Sequence, residues 1–207
     1  MRQIFYMALI VLLGGVLAGC ATPVIDSALS REQALAGTMA PDDVQRQLVL
    51  LEVQYYAFDG ALHQGQLVVH RDAQEDVEQV FRAIRATRFP VAKCVPIVHY
   101  NWSDDASMAD NNTSGFNYRM IAGTTRLSNH SFGRAIDINP VQNPAVYADG
   151  TTAPAGAVYD PQASGTLARE GEVVQEFLRR GWRWGGAYTS FKDYQHFELL
   201  QDADSGP

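Results

Sequence analysis

A chain of 207 residues, 46% of them hydrophobic, is long enough to bury the core of one ordinary domain. Its formal net charge of −7 excludes the cationic footprint by which proteins bind nucleic acid generally. Its two cysteines, Cys20 and Cys94, are too few for a disulfide framework.

Residues 1–19 read as an export signal. Arg2 gives a positive start, Ile4 to Leu17 is almost wholly apolar but short for a membrane span, and small residues follow. The tetrad Leu17-Ala18-Gly19-Cys20 resembles the lipobox of bacterial lipoproteins. That resemblance implies a lipid on Cys20, whose acyl chains anchor the mature protein to a membrane. Ala21 in place of aspartate is what the Gram-negative sorting pattern uses for the outer membrane, facing the periplasm. Loss of residues 1–19 removes Arg2 and moves the formal net charge from −7 to −8. Cys94 is then without an intramolecular partner, and Val91-Ala92-Lys93-Cys94-Val95 suits a buried, inert thiol.

Residues 20–45, with Pro23 and Pro41, read as a lipidated N-terminus and tether able to hold a short helix. The folded domain is expected over 46–202, and 203–207 is a C-terminal tail. Val49 to His70 predicts a hairpin: two runs of strand formers flank the turn signal Asp59-Gly60. Its histidines, His63 and His70, suit a surface or strand edge. Asp72 then caps a helix whose Val77, Val80, Phe81 and Ile84 recur at helical spacing. Pro90 stops it, and Lys93 to Tyr100 returns as an apolar strand.

Residues 101–117 form a polar connection, long for a compact domain, whose acids lack the regular spacing of a calcium loop; it suits the wall of a cleft. Residues 141–166, rich in proline, glycine and alanine, read as an inserted loop. A second amphipathic helix is predicted at about Gly171–Arg180, and a last strand carries Gln195 to Leu200. Strands separated by helices and loops predict an α+β fold, in which a small antiparallel sheet is flanked by helices.

The chemistry concentrates in two stretches. Ser128-Asn129-His130-Ser131-Phe132-Gly133-Arg134-Ala135-Ile136-Asp137 offers an imidazole and a carboxylate seven positions apart. Fully extended, that spacing would separate them by about 23 Å, and a helix by about 10 Å, whereas zinc–ligand bonds are only about 2 Å long. Gly133 and the polar residues before it predict a bend instead. Asp137 alternates with Ile136 and Ile138 on a short strand, so a buried carboxylate there needs a partner, and a metal would serve. Downstream, Asp193-Tyr194-Gln195-His196-Phe197-Glu198 supplies a second imidazole between two acids. His130, Asp137 and His196 make the two-imidazole, one-carboxylate set of a catalytic zinc site, with a position left for water. Two acids compete as base. Asp193 would have to reach the metal from a turn entering the strand, and Glu198 shares a face with His196 at i+2.

At these residues the sequence resembles the zinc D-alanyl-D-alanine carboxypeptidase and L-alanyl-D-glutamate endopeptidase family, which includes vancomycin-resistance carboxypeptidases and phage endolysin domains. Its signatures are Ser-x-His-x-x-Gly-x-Ala-x-Asp, here Ser128 to Asp137, and an acid three residues before a histidine, here Asp193 to His196. Phe116-Asn117-Tyr118-Arg119, Asn139-Pro140 and Trp184-Gly185-Gly186 look like the endolysin-type branch, and the similarity runs from about residue 50 to 200. The resemblance implies that His130, Asp137 and His196 bind Zn2+ and that Asp193, in preference to Glu198, is the general base. It implies that Arg119 stabilises an oxyanion or orients substrate, with Arg126 and Arg134 close by in sequence. The implied partners are peptidoglycan stem peptides or muropeptides, besides the membrane that takes the lipid, and no nucleic acid. A different class of reading is a non-catalytic envelope lipoprotein that keeps the metal fold to grip peptidoglycan.

Overall fold

The computed structural model describes residues 22–200, so the export signal, Cys20 and the C-terminal tail lie outside the described residues. The stretch read as a tether is instead docked on the domain. It holds β1 (Val24–Ile25), α1 (Arg31–Ala34) and α2 (Asp42–Gln45). Ser30 caps α1 in a reciprocal capping box with Gln33. Ala34, Leu35 and Ala40 are buried against Leu48, Val68 and Phe116, a second small core beside the main one. A segment this short shows no clear periodicity of its own, and the partners that bury it lie far along the chain.

The expected hairpin is β2 (Leu48–Tyr56) with β3 (Leu62–His70), antiparallel from Leu48↔His70 to Tyr56↔Leu62. β1 extends it by parallel pairing on β3. Helix α3 (Gln74–Thr87) buries Val77, Val80, Phe81 and Ile84 as its spacing predicts. It starts after a 3-10 turn, Arg71–Ala73, and His70 caps that turn in place of Asp72 as helix cap. The apolar strand expected to reach Tyr100 is only β4 (Lys93–Cys94), because the chain turns at Pro96 into a 3-10 turn, Ile97–Tyr100. Cys94 is buried, and burial pushes its thiol well up, as an inert thiol requires.

The polar connection is not loop throughout. Ser103 accepts from the Ala106 N–H (3.2 Å) and caps α4 (Asp104–Ala109), with two acids in the first turn. β5 (Asn112–Thr113) then runs parallel to β4. Further on come β6 (Ala135–Asp137), β7 (Ala145–Val146), β8 (Thr152–Ala153), α5 (Glu172–Arg179), β9 (Arg183–Trp184), β10 (Lys192–Asp193) and β11 (His196–Glu198). β6, β11 and β9 form one small antiparallel sheet, and β10, β7 and β8 another. The architecture is α+β, as expected.

One face of the β6–β11–β9 sheet turns Ile136, Phe197 and Trp184 into the main core with Phe177, Trp182, Val77 and Ile84. Phe177 and Phe197 stack with centroids 3.9 Å apart. Burying each such side chain contributes roughly 1.5–3 kcal/mol, which fixes the sheet against α5. Because facing alternates along a strand, anchoring Ile136 and Phe197 inward turns Asp137 and His196 to the other side.

Candidate metal centre

Asp137 and His196 are direct cross-strand partners on β6 and β11, so their side chains start about 5 Å apart on one face. The Asp137 carboxylate lies 3.0 Å from His196 Nδ1 through one oxygen and 3.1 Å from His130 Nε2 through the other. The two imidazole nitrogens are 3.2 Å apart. One donor atom from each of the three residues lies within 4.8 Å of the others.

His130 reaches this point from the 3-10 turn Asn129–Phe132, capped by Ser128, whose hydroxyl accepts from the His130 N–H at 3.3 Å. Gly133 ends the turn with φ +66°, the predicted bend, and a Cβ there would meet His70 N at 2.5 Å. His130 Nδ1 donates to the Gly115 carbonyl at 2.6 Å. A carbonyl can only accept, so the proton belongs on Nδ1 and the Nε2 lone pair faces the other donors. The end of the 101–117 connection thus orients the first ligand. It also braces Asp137, since the Ser114 and Asp137 backbones exchange hydrogen bonds of 2.9 and 3.0 Å.

Asp193 ends β10, and a two-residue turn, Tyr194–Gln195, separates it from β11, which resolves the facing problem posed by a single continuous strand. Gly185 permits the approach, because a Cβ there would come within 2.4 Å of the Asp193 carbonyl oxygen. Asp193 Oδ1 is buried and has no hydrogen-bond partner among the described residues. Burial first, and then the neighbouring Asp137 charge, push the Asp193 carboxyl up to about 6, against the pull of His196 and His130. Glu198 is differently placed. It accepts from Asn129 Nδ2 (2.6 Å) and the Tyr188 hydroxyl (2.7 Å), and lies 3.7 Å from His196 Nε2. Burial would raise Glu198, but hydrogen bonds from His196, Tyr188 and Asn129 outweigh it and hold the carboxyl down to about 2.

The fit of this site to a cation follows from its charge. Burial would raise the Asp137 carboxyl, yet the His130 and His196 charges hold it far below the carboxylate range. Burial would also strip His196 of its proton, but Asp137, Glu198 and Asp193 reverse that and raise it to about 10. A centre whose carboxylates keep a proton on His196 against its burial favours positive charge. Two imidazoles and a carboxylate suit zinc, and the unpartnered Asp193 oxygen beside them fits a zinc ion as the resident group.

Arg119 stands next to this cluster through its backbone: its carbonyl accepts from the Ser128 N–H (3.0 Å) and the Ser131 hydroxyl (2.7 Å). Its guanidinium pairs with Asp104 of α4 at 2.9 Å, and its Nε is buried without a partner among the described residues. Tyr147, just past β7, is raised by burial and then by the Asp193 and Asp104 charges, against Arg119, so guanidinium and Asp193 act on one phenol. Gly115, Asn129 and Tyr188 were not legible as site residues. Gly115 holds His130 from 15 positions away, and Asn129 and Tyr188 both bond Glu198, contacts that no spacing within a motif reveals.

Fold and site together give an α+β protein in which three residues, two imidazoles and a carboxylate, could hold a metal ion. Residues 122–199 match the family model described as D-alanyl-D-alanine carboxypeptidase, a segment that contains all three donors and Asp193. Over this segment the chain is similar to that family, as its two motifs indicate. No solved structure matches the chain.

Proposed function

We propose that the protein is a zinc-dependent peptidase that hydrolyses an amide bond in peptidoglycan stem peptides, of the D-Ala carboxypeptidase or L-Ala–D-Glu endopeptidase type. The observation that carries this reading is the convergence of His130, Asp137 and His196 beside an unpartnered, buried Asp193 oxygen. The family match over residues 122–199 supports the substrate class. His130 Nε2, the Asp137 carboxylate and His196 Nδ1 would hold the ion. Zinc bound there supplies Lewis-acid polarisation of the scissile carbonyl and lowers the pKa of a bound water. Asp193, raised towards neutrality, takes the proton of the attacking water and delivers it to the leaving amine. The Arg119 guanidinium offers positive charge to the developing oxyanion or to a substrate carboxylate. The lipobox resemblance at Cys20 further supports an envelope location, which in a Gram-negative cell puts the lipid in the outer membrane and the domain in the periplasm.

The test is to incubate purified muropeptides with the full-length, zinc-loaded protein in detergent and analyse the products by mass spectrometry. Products formed by wild type and not by Asp193→Ala are expected, and their masses identify the bond cut. A zinc-loaded wild type that cleaves no muropeptide overturns the reading. Cys20→Ala protein that still partitions with membranes overturns the anchor.

A further inference from the structure

A cavity of about 580 Å³ opens at the edge strand β9 and is lined by Arg169, Leu178, Trp182, Arg183, Trp184 and Tyr188, with Thr189 and Ser190 at one side. Cross-strand pairing places it relative to the metal centre. Glu198 is opposite Arg183 in β9, and His196 is opposite Asp137 in β6. Opposed residues share a face, as do residues two apart on one strand, so Arg183 stands on the same face as Asp137, His196 and Glu198. Tyr188 joins the two regions, since it lines the cavity and donates to Glu198, which faces His196 Nε2 at 3.7 Å.

The lining is unusual for a chain of net charge −7, because its polar side chains are two guanidiniums and three hydroxyls, with no carboxylate. Among the described residues Arg169 pairs with no acid, and the nearest carboxylate to Arg183 is Glu198 at 3.7 Å, already held by Asn129 and Tyr188. Arg183 instead lies over the Tyr188 ring, 5.6 Å from its centroid. Leu178, Trp182 and Trp184 supply the apolar part of the lining.

We propose that this cavity is a subsite for a carboxylate of the substrate peptide other than any group at the scissile amide, gripped by Arg169 and Arg183 while its hydrocarbon stem lies along the apolar lining at Leu178. The inference rests on the peptidase reading and adds to it the substrate's charge. Guanidiniums bind carboxylates by charge-assisted, paired hydrogen bonds, and a neutral amide at the same place loses that attraction.

The experiment uses the full-length, zinc-loaded protein and two synthetic stem peptides that differ only in whether the carboxylate away from the cleaved bond is free or amidated. Wild type is expected to prefer the free acid in kcat/KM by at least about tenfold. The double variant Arg169→Gln, Arg183→Gln is expected to lose that preference, and lysine at both positions to restore part of it. Arg169→Gln alone, which leaves the neighbourhood of Glu198 untouched, is expected to lower it. Equal treatment of acid and amide by wild type, or a preference that survives the double variant, overturns the subsite. Calorimetric binding of both peptides to Asp193→Asn protein separates this outcome from failure of the parent reading. Arginine-dependent binding of the acid with no cleavage by wild type leaves the subsite standing and removes the peptidase. Cleavage without acid preference does the reverse, and neither binding nor cleavage removes both.

Discussion

Two carboxylates flank His196, and their surroundings drive them apart. Glu198 has both oxygens engaged, by Asn129 and Tyr188, and is held down to about 2. Asp193 is half-buried with one oxygen, Oδ1, buried and unpartnered, and is raised to about 6, the range a general base needs. Asp193→Asn is therefore expected to lower kcat by about 10² to 10⁴ while zinc stays bound. Glu198→Gln is expected to act through His196, weakening zinc affinity by about ten- to a hundredfold. Steady-state kinetics and metal content after dialysis check both, and the reverse pattern would give Glu198 the base's role. The convergence of His130, Asp137 and His196 was readable from sequence because the Ser128–Asp137 and Asp193–His196 motifs each bring a histidine and an acid with a short, fixed spacing. The choice between the bases was not readable from spacing, because it depends on Asn129 and Tyr188, which reach Glu198 from 69 and 10 positions away.

At the scale of elements, the turn that presents His130 rests on one glycine. Gly133 combines a left-handed φ of +66° with a backbone neighbour 2.5 Å from where a Cβ would stand. Gly133→Ala is expected to destabilise the fold by about 1–3 kcal/mol from strain alone, read as a lower urea midpoint at unchanged slope. A second element-level device is the clasp that docks β1. The Tyr55 hydroxyl donates to Asp26, and His63 Nδ1 lies 2.9 Å from Asp26 with Nε2 3.3 Å from Asp59. Burial lowers the His63 pKa, but hydrogen bonds to Asp26 and Asp59 outweigh it, and the net shift is upward. A raised folded pKa stabilises fully below the unfolded value of about 6.5 and is lost as pH rises through the folded value. Denaturant titrations of wild type are thus expected to show a stability increment that disappears above pH about 6.5 and is missing from His63→Gln. The hairpin, α3 and α5 were legible because each is long enough to show its period. The two-residue strands β4, β5, β7 and β8 have no period to read, and α4 was hidden in a polar stretch whose only sign was the Ser103 cap.

For the whole molecule, a zinc ion at the proposed centre would compete with a proton for one place. The three carboxylates around His196 raise it to about 10 against its burial, so near pH 8 a zinc ion would displace a proton on binding. Calorimetry at pH about 8 in buffers of different ionisation enthalpy is expected to show about one proton released per zinc, vanishing well above pH 10. No release at any pH would remove His196 from the donor set. At a hundredfold excess over Kd the ion should add about 2.7 kcal/mol to stability, reversed by a chelator. The docked N-terminal segment carries a consequence of a different, mechanical kind. With β1 fixed on the domain from Val24, a lipid on Cys20 would leave a leash of only four residue steps, about 14 Å at full stretch. An enzyme so tied would patrol a shell hardly deeper than the headgroups beneath it. Its reach into the wall would then be set by how closely the wall approaches the bilayer, and lengthening the leash should widen the territory it can work.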